Sequence, residues 1–211
     1  MKRLHERNAH ECFAFHRDRE KARTYEGDAH QDERVQRSRR MVARVLESMK
    51  APDAAHAFFT IIEAGCGMSD IGGYFSMGHK VIGIEANPTH ALSCMKRWEH
   101  MDVRDGNIET MEPIECDVLI LCETLEHLAD PMDFCKRWLP KARHVVISCP
   151  INGDLQNDAS GGEHTWSINE GDFTDFFKAG GHEIREIERF EMGCYTDWLA
   201  WGQRGENVQR L

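Results

Sequence analysis

The stretch IIEAGCGMSDIGGYF, residues 61–75, decides the fold of this chain. An apolar run over 58–62 predicts a buried strand, and the acid Glu63 closes it. The glycine turn Gly65–Gly67 follows, and a helix is expected to begin at Ser69–Asp70. Glycine lets the backbone approach a ligand, and the free N–H groups of a first helical turn face a negative group. The stretch therefore predicts a site for a nucleotide-like cofactor.

The glycine turn differs from the one that binds dinucleotides. The dinucleotide fingerprint G-x-G-x-x-G packs phosphates against its glycines, but Asp70 stands where the third glycine belongs and would repel a pyrophosphate. Glu63 suits a cofactor that carries a cationic amine, and a helix N-terminus suits a carboxylate. S-adenosylmethionine (SAM), an amino-acid zwitterion joined to a nucleoside, has both groups. The alternative is a plain strand-to-helix turn without a ligand.

Two further segments have the spacing of a nucleoside site. KVIGIEANP at 80–88 predicts a second apolar strand ending in Glu85, where a carboxylate can accept hydrogen bonds from both ribose hydroxyls. In RDGNIET at 104–110, Asn107 can offer its amide to adenine, and Ile108 can supply apolar packing and a backbone N–H. Ligands of open parallel sheets bind at the carboxyl ends of the strands, so these residues are expected at one edge.

The order of these segments resembles the class I SAM-dependent methyltransferases, from about residue 58 to about residue 205. CDVLILCETLEHLADPMDF at 116–134 is similar to the fourth strand of that superfamily, with its E-H-L and a D-P that begins a helix. HVVISCP at 144–150 is similar to the fifth strand. The resemblance implies an α/β, Rossmann-like fold, with a seven-stranded, mostly parallel sheet, helices on both faces and an antiparallel last strand. It also implies methyl transfer from SAM.

The resemblance further implies roles for single residues. The turn would line the methionine end of the cofactor, Glu85 would hold the ribose, and the segment around Asn107 would hold the adenine. Ser69–Asp70 departs from the pattern, because many members have a small glycine there, and this leaves the path of the loop open. The cofactor-binding residues so implied are Glu63, Gly65, Gly67, Glu85, Asn107, Ile108 and Cys122.

The segment after the fourth predicted strand carries the candidate catalytic residues. If it begins a helical turn, Glu123, Glu126 and His127 share one face through i, i+3 and i+4 spacing. His164 lies in the loop after the fifth strand, which returns to the same edge of a parallel sheet. These four residues could bind Mg²⁺ or Mn²⁺, which would lower the pKa of a bound hydroxyl. Without a metal, His127 is the best general base and His164 the second.

This E-x-x-E-H pattern with a distant histidine is similar to two branches of the superfamily, both type 11/23-like. One is the ubiquinone-pathway catechol O-methyltransferases. The other is the small-RNA terminal 2′-O-methyltransferases, whose H-x-x-x-W segment is resembled in outline by residues 164–166 together with Glu170. Both act on adjacent oxygens, so we expect O-methyl transfer to a small-molecule hydroxyl or diol, with Glu126, His127 and His164 as catalytic residues. An RNA-terminal 2′-O-methyltransferase and a non-catalytic SAM-binding module are the alternatives.

Composition indicates one domain with a distinct N-terminal segment. We expect residues 1–50 to form a helical arm or lid and residues 51–211 to form the SAM-binding domain. The net charge is −10, yet residues 1–50 hold 13 basic and 9 acidic side chains. The acidic remainder argues against broad nucleic-acid binding, while a basic arm could meet an anionic substrate. A small molecule is thus the expected partner, RNA is the second, and the oligomeric state is left open.

The cysteine pattern and the hydropathy indicate which cellular compartment to expect. The 8 cysteines include no C-x-x-C pair, so zinc-ribbon spacing is absent and a reducing cytoplasm is expected. No apolar run reaches the roughly 18 residues that a membrane span needs. The N-terminus also lacks the apolar core of a secretory signal, so we expect no membrane partner.

Overall fold

The computed structural model of this protein describes residues 1–17, 29–51, 57–151, 164–192 and 195–205. None of the helices in these ranges is long and apolar enough to cross a membrane. In chain order the elements are β1 (Lys2–Arg3), α1 (Ala9–Arg17), α2 (Ala29–Ser48), β2 (Thr60–Ala64), β3 (Lys80–Glu85), α3 (Pro88–Arg97), β4 (Asp102–Asp105), β5 (Cys116–Cys122), α4 (Pro131–Trp138), β6 (Ala142–Ile151), β7 (Trp166–Ser167), α5 (Glu170–Ala179), β8 (His182–Met192) and β9 (Tyr195–Arg204).

Seven strands form one sheet in the order β4-β3-β2-β5-β6-β9-β8. The pairs from β4 to β6 are parallel, and β9 runs antiparallel to both β6 and β8. The predicted seven-stranded, mostly parallel sheet with an antiparallel last strand is therefore confirmed. The strands β2 to β6 all end at one edge, here called the carboxyl edge, and β9 begins there because it lies antiparallel beside β6.

The central strands β2, β3, β5 and β6 are buried on both faces of the sheet, which explains why they are largely apolar runs. In β5, Val118 and Ile120 face α2 and α3, while Leu119 and Leu121 face α4 and α5, and all four are 0% exposed. Helix α2 covers the first face with its apolar stripe, which includes Met41, Val42 and Val45. Because side chains alternate between the two faces along each strand, the same alternation determines the face to which each polar residue at the carboxyl edge points.

The helix expected to begin at Ser69–Asp70 is not formed, and this prediction was wrong. Ser69 has a φ of 54°, and only a single 3₁₀ turn, Gly72–Phe75, follows. The buried Glu63 carboxylate accepts hydrogen bonds from the Ser69 hydroxyl and from Gly72 N at 3.1 Å. Side-chain acceptors thus replace the backbone bonds of a first helical turn, and the turn offers no helix N-terminus to a ligand.

Strand β1 and helix α2 both join the N-terminal segment to the sheet domain. Strand β1 pairs antiparallel with β7, and Leu4 N donates to Thr165 O at 2.8 Å. Helix α2 packs on the sheet and places Arg44 against Glu186 and Glu188 of β8, at 2.8 and 2.6 Å. The interpretation of residues 1–50 as a lid stays a prediction. These contacts pack the described part of that segment against the sheet domain.

Candidate active site

The glycine turn between β2 and the 3₁₀ turn depends on two left-handed residues. Gly65 has a φ of 71° and Gly67 a φ of 53°. Gly65 N donates to Ile84 O at 2.9 Å, which fastens the turn to β3. A Cβ at Gly65 would lie 2.9 Å from the Thr124 side chain, whereas a Cβ at Gly67 would meet nothing within 4 Å. Gly67 is thus the open position of the turn, and Gly65 is the packed one.

The substitutions Gly65→Ala and Gly67→Ala are expected to have different main effects, the first on stability and the second on ligand binding. Either substitution strains a positive φ by about 1–2 kcal/mol, and Gly65→Ala adds a clash with Thr124 of roughly 1–3 kcal/mol. We therefore expect Gly65→Ala to lower the free energy of unfolding more than Gly67→Ala in urea titrations. Gly67→Ala should instead weaken S-adenosylhomocysteine binding, because its methyl group fills the open space. Equal losses of stability would contradict the packed role of Gly65.

Glu85 lies against the glycine turn at the tip of β3, where a ribose ligand was expected. It is 8% exposed, and its Oε2 accepts from Gly67 N at 2.7 Å. Its Oε1 accepts from Asn87 N, also at 2.7 Å, directly before α3. Each carboxylate oxygen retains a second lone pair. The structure thus brings Gly65, Gly67 and Glu85 together and holds the carboxylate in one orientation.

Asn107 and Ile108 lie beyond β4, next to the N-terminal helix. Asn107 Oδ1 accepts from Glu109 N at 2.9 Å, and its Nδ2 donates to Ala9 O in α1 at 3.2 Å. Ile108 is 8% exposed, and its carbonyl accepts from the Trp138 indole at 3.0 Å. The Asn107 amide, which was expected to bind adenine, therefore donates its hydrogen bond to α1. Helix α1 covers this side of the carboxyl edge.

Two other predicted cofactor residues are held by contacts inside the protein. Glu63 lies inside the loop that it braces through Ser69 and Gly72, and burial raises its pKa to about 7. The Cys122 thiol lies 3.7 Å from the Ser38 hydroxyl of α2, and burial raises its pKa to about 12. Glu63 therefore stabilises the loop from inside, and Cys122 lies beneath α2.

The structure brings Glu126, His127 and His164 into one cluster, here called the EHH cluster. Their ligand atoms all lie within 4.8 Å of one another. Glu126 and His127 belong to a 3₁₀ turn, Leu125–His127, directly after β5. Thr165 N donates to Glu126 O at 2.7 Å, and this bond brings the neighbouring His164 to the turn. The sequence-based grouping of these three residues agrees with this geometry.

Glu126 is the unusual member of the EHH cluster. Its side chain is 0% exposed, and neither carboxylate oxygen accepts a hydrogen bond from any residue that the structure describes. The His127 ring lies beside it, with Nε2 at 3.7 Å from Oε1. Burial, and next the charge of Glu123, raise the pKa of Glu126 to about 8, while His164 lowers it. A buried carboxylate without hydrogen bonds is costly, so a cation or a proton at this position would stabilise the fold.

Glu123 does not join the EHH cluster, contrary to the expected shared helical face. Its φ is 53°, and the helical turn begins only after it, so i, i+3 and i+4 spacing does not apply. The Glu123 carboxylate pairs with Arg34 of α2 at 2.9 Å and accepts from the Ser148 hydroxyl at 2.9 Å. We therefore leave Glu123 out of the candidate cation site.

Two residues near the cluster were missed by sequence reasoning. Asp197, at the start of β9, is 0% exposed, and its oxygens accept no hydrogen bond within the described ranges. Burial, followed by the charge of Glu123, raises the Asp197 pKa well above its usual value. His16 of α1 is the second, with its ring centroid 5.0 Å from that of His127. No local pattern marks either residue, because antiparallel pairing and helix docking bring them there.

No family model matches the chain, and no curated protein sequence matches it. Solved structures with the same fold include the magnesium protoporphyrin IX methyltransferase of Synechocystis PCC 6803 with bound S-adenosylhomocysteine. Its TM-score is 0.69 at 13% identity, and the match covers 88% of this chain and 90% of that one. The N-methyltransferase NodS of Bradyrhizobium japonicum WM9, with the same ligand, has a TM-score of 0.69 at 14% identity, over 95% and 100% of the chains.

The same fold also occurs in a protein named for another reaction. The [4+2]-cyclase SpnF matches with a TM-score of 0.62 at 9% identity, over 78% of this chain and 80% of that one. At such identities the comparisons establish the fold alone. Because one fold carries several chemistries, the reaction has to be argued from the residues at the carboxyl edge.

Proposed function

We propose that this chain, which has the fold of class I SAM-dependent methyltransferases, transfers the methyl group of SAM to an oxygen of a small-molecule hydroxyl or vicinal diol. We further propose that a divalent cation held by the EHH cluster assists the transfer. The observation that carries the proposal is the fully buried Glu126 carboxylate, without a hydrogen bond from the described residues, beside two imidazoles at the carboxyl edge.

The residues around the glycine turn fit the proposed cofactor. Gly67 leaves open space at a position with a positive φ, so a ligand can approach the backbone there. The Glu85 carboxylate is fixed beside it by two backbone N–H groups and can accept ribose hydroxyls with its remaining lone pairs. SAM supplies an electrophilic methyl group when bound. The chain has to hold that methyl in line with an acceptor and to exclude water.

The EHH cluster fits a cation that binds both oxygen and nitrogen. One carboxylate and two imidazoles suit Mn²⁺, which accepts both donor types, better than Mg²⁺, which prefers oxygen. The negative charge of Glu126 would then be balanced inside the protein. A cation lowers the pKa of a bound hydroxyl, which makes the acceptor oxygen a better nucleophile at neutral pH. Without a cation, the half-buried His127 is the group we assign as general base.

Methyl transfer can be measured with tritiated SAM against a panel of acceptors, in MnCl₂ and in EDTA. The panel contains a catechol, an aliphatic vicinal diol, a primary amine, and two RNA oligonucleotides that end in a 2′,3′-diol or in a 3′-phosphate. We expect Mn²⁺-dependent labelling of the catechol or diol and at least a tenfold loss in EDTA. Labelling of the diol-ended RNA alone would favour the RNA-terminal alternative. Cofactor binding with no labelling of any acceptor would favour a non-catalytic module.

A further inference from the structure

His16 of α1 lies at the edge of the EHH cluster and has no part in the cofactor site. Its ring stands perpendicular to that of His127, with centroids 5.0 Å apart and an interplanar angle of 90°. The rings of His127 and His164 stand 4.8 Å apart at 74°. Three imidazoles therefore follow one another next to the buried Glu126 carboxylate. The N-terminal segment supplies one of them, 111 residues before His127 and 148 residues before His164 in sequence.

Contacts on both sides of α1 hold His16 in this place. The Arg17 guanidinium donates to both Asp105 oxygens at 2.5 and 3.0 Å, and Asn87 Nδ2 donates to the His16 carbonyl at 2.9 Å. On the other side, the Cys12 thiol lies 3.6 Å from the Thr165 hydroxyl, next to His164. Helix α1 is thus fastened both to the ends of β3 and β4 and to the segment that carries His164.

From this arrangement we infer that His16 is a further protein ligand of the cation at the EHH cluster, which makes the donor set three imidazoles and one carboxylate. The inference rests on the cation site of the proposed function. Two imidazoles bound about 2.1 Å from one ion, at angles of about 90–110°, place their ring centroids about 4.6–5.3 Å apart. The centroid separations of 5.0 and 4.8 Å fall within that interval.

Glu123, one of the two acids that the structure describes near the cluster, cannot take this place without losing its present partners. Glu123 is held by Arg34 and Ser148, each at 2.9 Å, on the α2 side of the sheet. The His16 nitrogens lie outside the set of donor atoms within 4.8 Å of one another, so ligation requires its ring to rotate toward His127. Three imidazole donors shift the preference away from Mg²⁺ and toward first-row transition metals.

Mn²⁺ binding to the full-length protein tests this role. The free ion is counted by electron paramagnetic resonance (EPR) for wild type, His16→Phe, His16→Ala and Glu126→Gln. His16→Phe retains an aromatic ring against His127 but removes the donor nitrogens, so it separates ligation from packing. His10→Ala is the matched control, because His10 is exposed on the same helix. We expect both His16 variants to bind Mn²⁺ at least tenfold more weakly, and His10→Ala to bind like wild type.

A spectroscopic count of nitrogen ligands provides the second measurement. Pulsed EPR of the Cu²⁺-loaded protein should detect three imidazoles in wild type and two in His16→Phe. If wild type binds Mn²⁺, Glu126→Gln loses it, and His16→Phe retains both affinity and nitrogen count, then the His16 role is overturned while the proposed cation site stands. If wild type itself binds no Mn²⁺, both the cation site and the His16 role are overturned.

Discussion

Glu85→Ala is expected to weaken S-adenosylhomocysteine binding at least a hundredfold. The Glu85 carboxylate is 8% exposed and is aimed at the glycine turn by Gly67 N and Asn87 N, each at 2.7 Å. A hydrogen bond to a charged group contributes about 1.5–3 kcal/mol, so losing two ribose contacts removes about 3 kcal/mol or more. Each 1.4 kcal/mol is a factor of ten in affinity. Isothermal titration calorimetry of the purified protein measures this loss.

The control for Glu85 is an acid outside the site. Glu99 is 86% exposed, and Glu99→Ala should leave cofactor affinity unchanged. Glu85→Gln retains the size of the side chain, and we expect its affinity to fall between those of wild type and Glu85→Ala. Melting curves of each variant separate a lost contact from a disordered turn. If folded Glu85→Ala binds like wild type, the carboxyl edge of β3 does not hold the ribose, and the proposed cofactor site is wrong.

The sheet could be predicted because its strands are buried on both faces. Strands β2, β3, β5 and β6 are continuous apolar runs, and a parallel sheet has no other way to cover its two faces. The helix at Ser69–Asp70 could not be predicted, because Glu63 outcompetes the backbone for the Ser69 hydroxyl and the Gly72 N–H. Such a competition between side chain and backbone depends on burial, which no local pattern shows.

The candidate site also has residues that could be predicted from the sequence and residues that could not. Glu126, His127 and His164 could be grouped from sequence, because turns that follow parallel strands meet at one edge. Glu123 was placed with them on the assumption of helical spacing, but its positive φ turns it toward Arg34. Tertiary contacts determine the remaining positions. Sequence alone does not indicate that α1 folds back over the cluster or that the start of β9 lies beside the end of β6.

Glu126→Gln is expected to have opposite effects on stability and on cation binding. The Glu126 pKa is raised to about 8 by burial, against an ordinary value of 4.5. Between these values the folded state binds more protons than the unfolded state, so the free energy of unfolding falls as pH rises from about 4.5 to 8. Glutamine has no charge to bury. At pH 8 in EDTA, we expect Glu126→Gln to be more stable than wild type by about 2–4 kcal/mol.

Adding Mn²⁺ should reverse that order. A ligand present at a thousand times its dissociation constant stabilises the state that binds it by about 4.1 kcal/mol, which is enough to offset the expected deficit. Only wild type retains the carboxylate that neutralises the ion. Urea titrations of both proteins at pH 5 and pH 8, in EDTA and in MnCl₂, measure the effect. At pH 5 in EDTA the difference in the free energy of unfolding between the two proteins should shrink to about 1 kcal/mol or less.

A wild type more stable than Glu126→Gln at pH 8 in EDTA would show that Glu126 already has a partner and needs no cation. The Glu126 carboxylate is therefore expected to destabilise the metal-free fold and to stabilise the metal-bound one, which is the behaviour of a residue retained for binding.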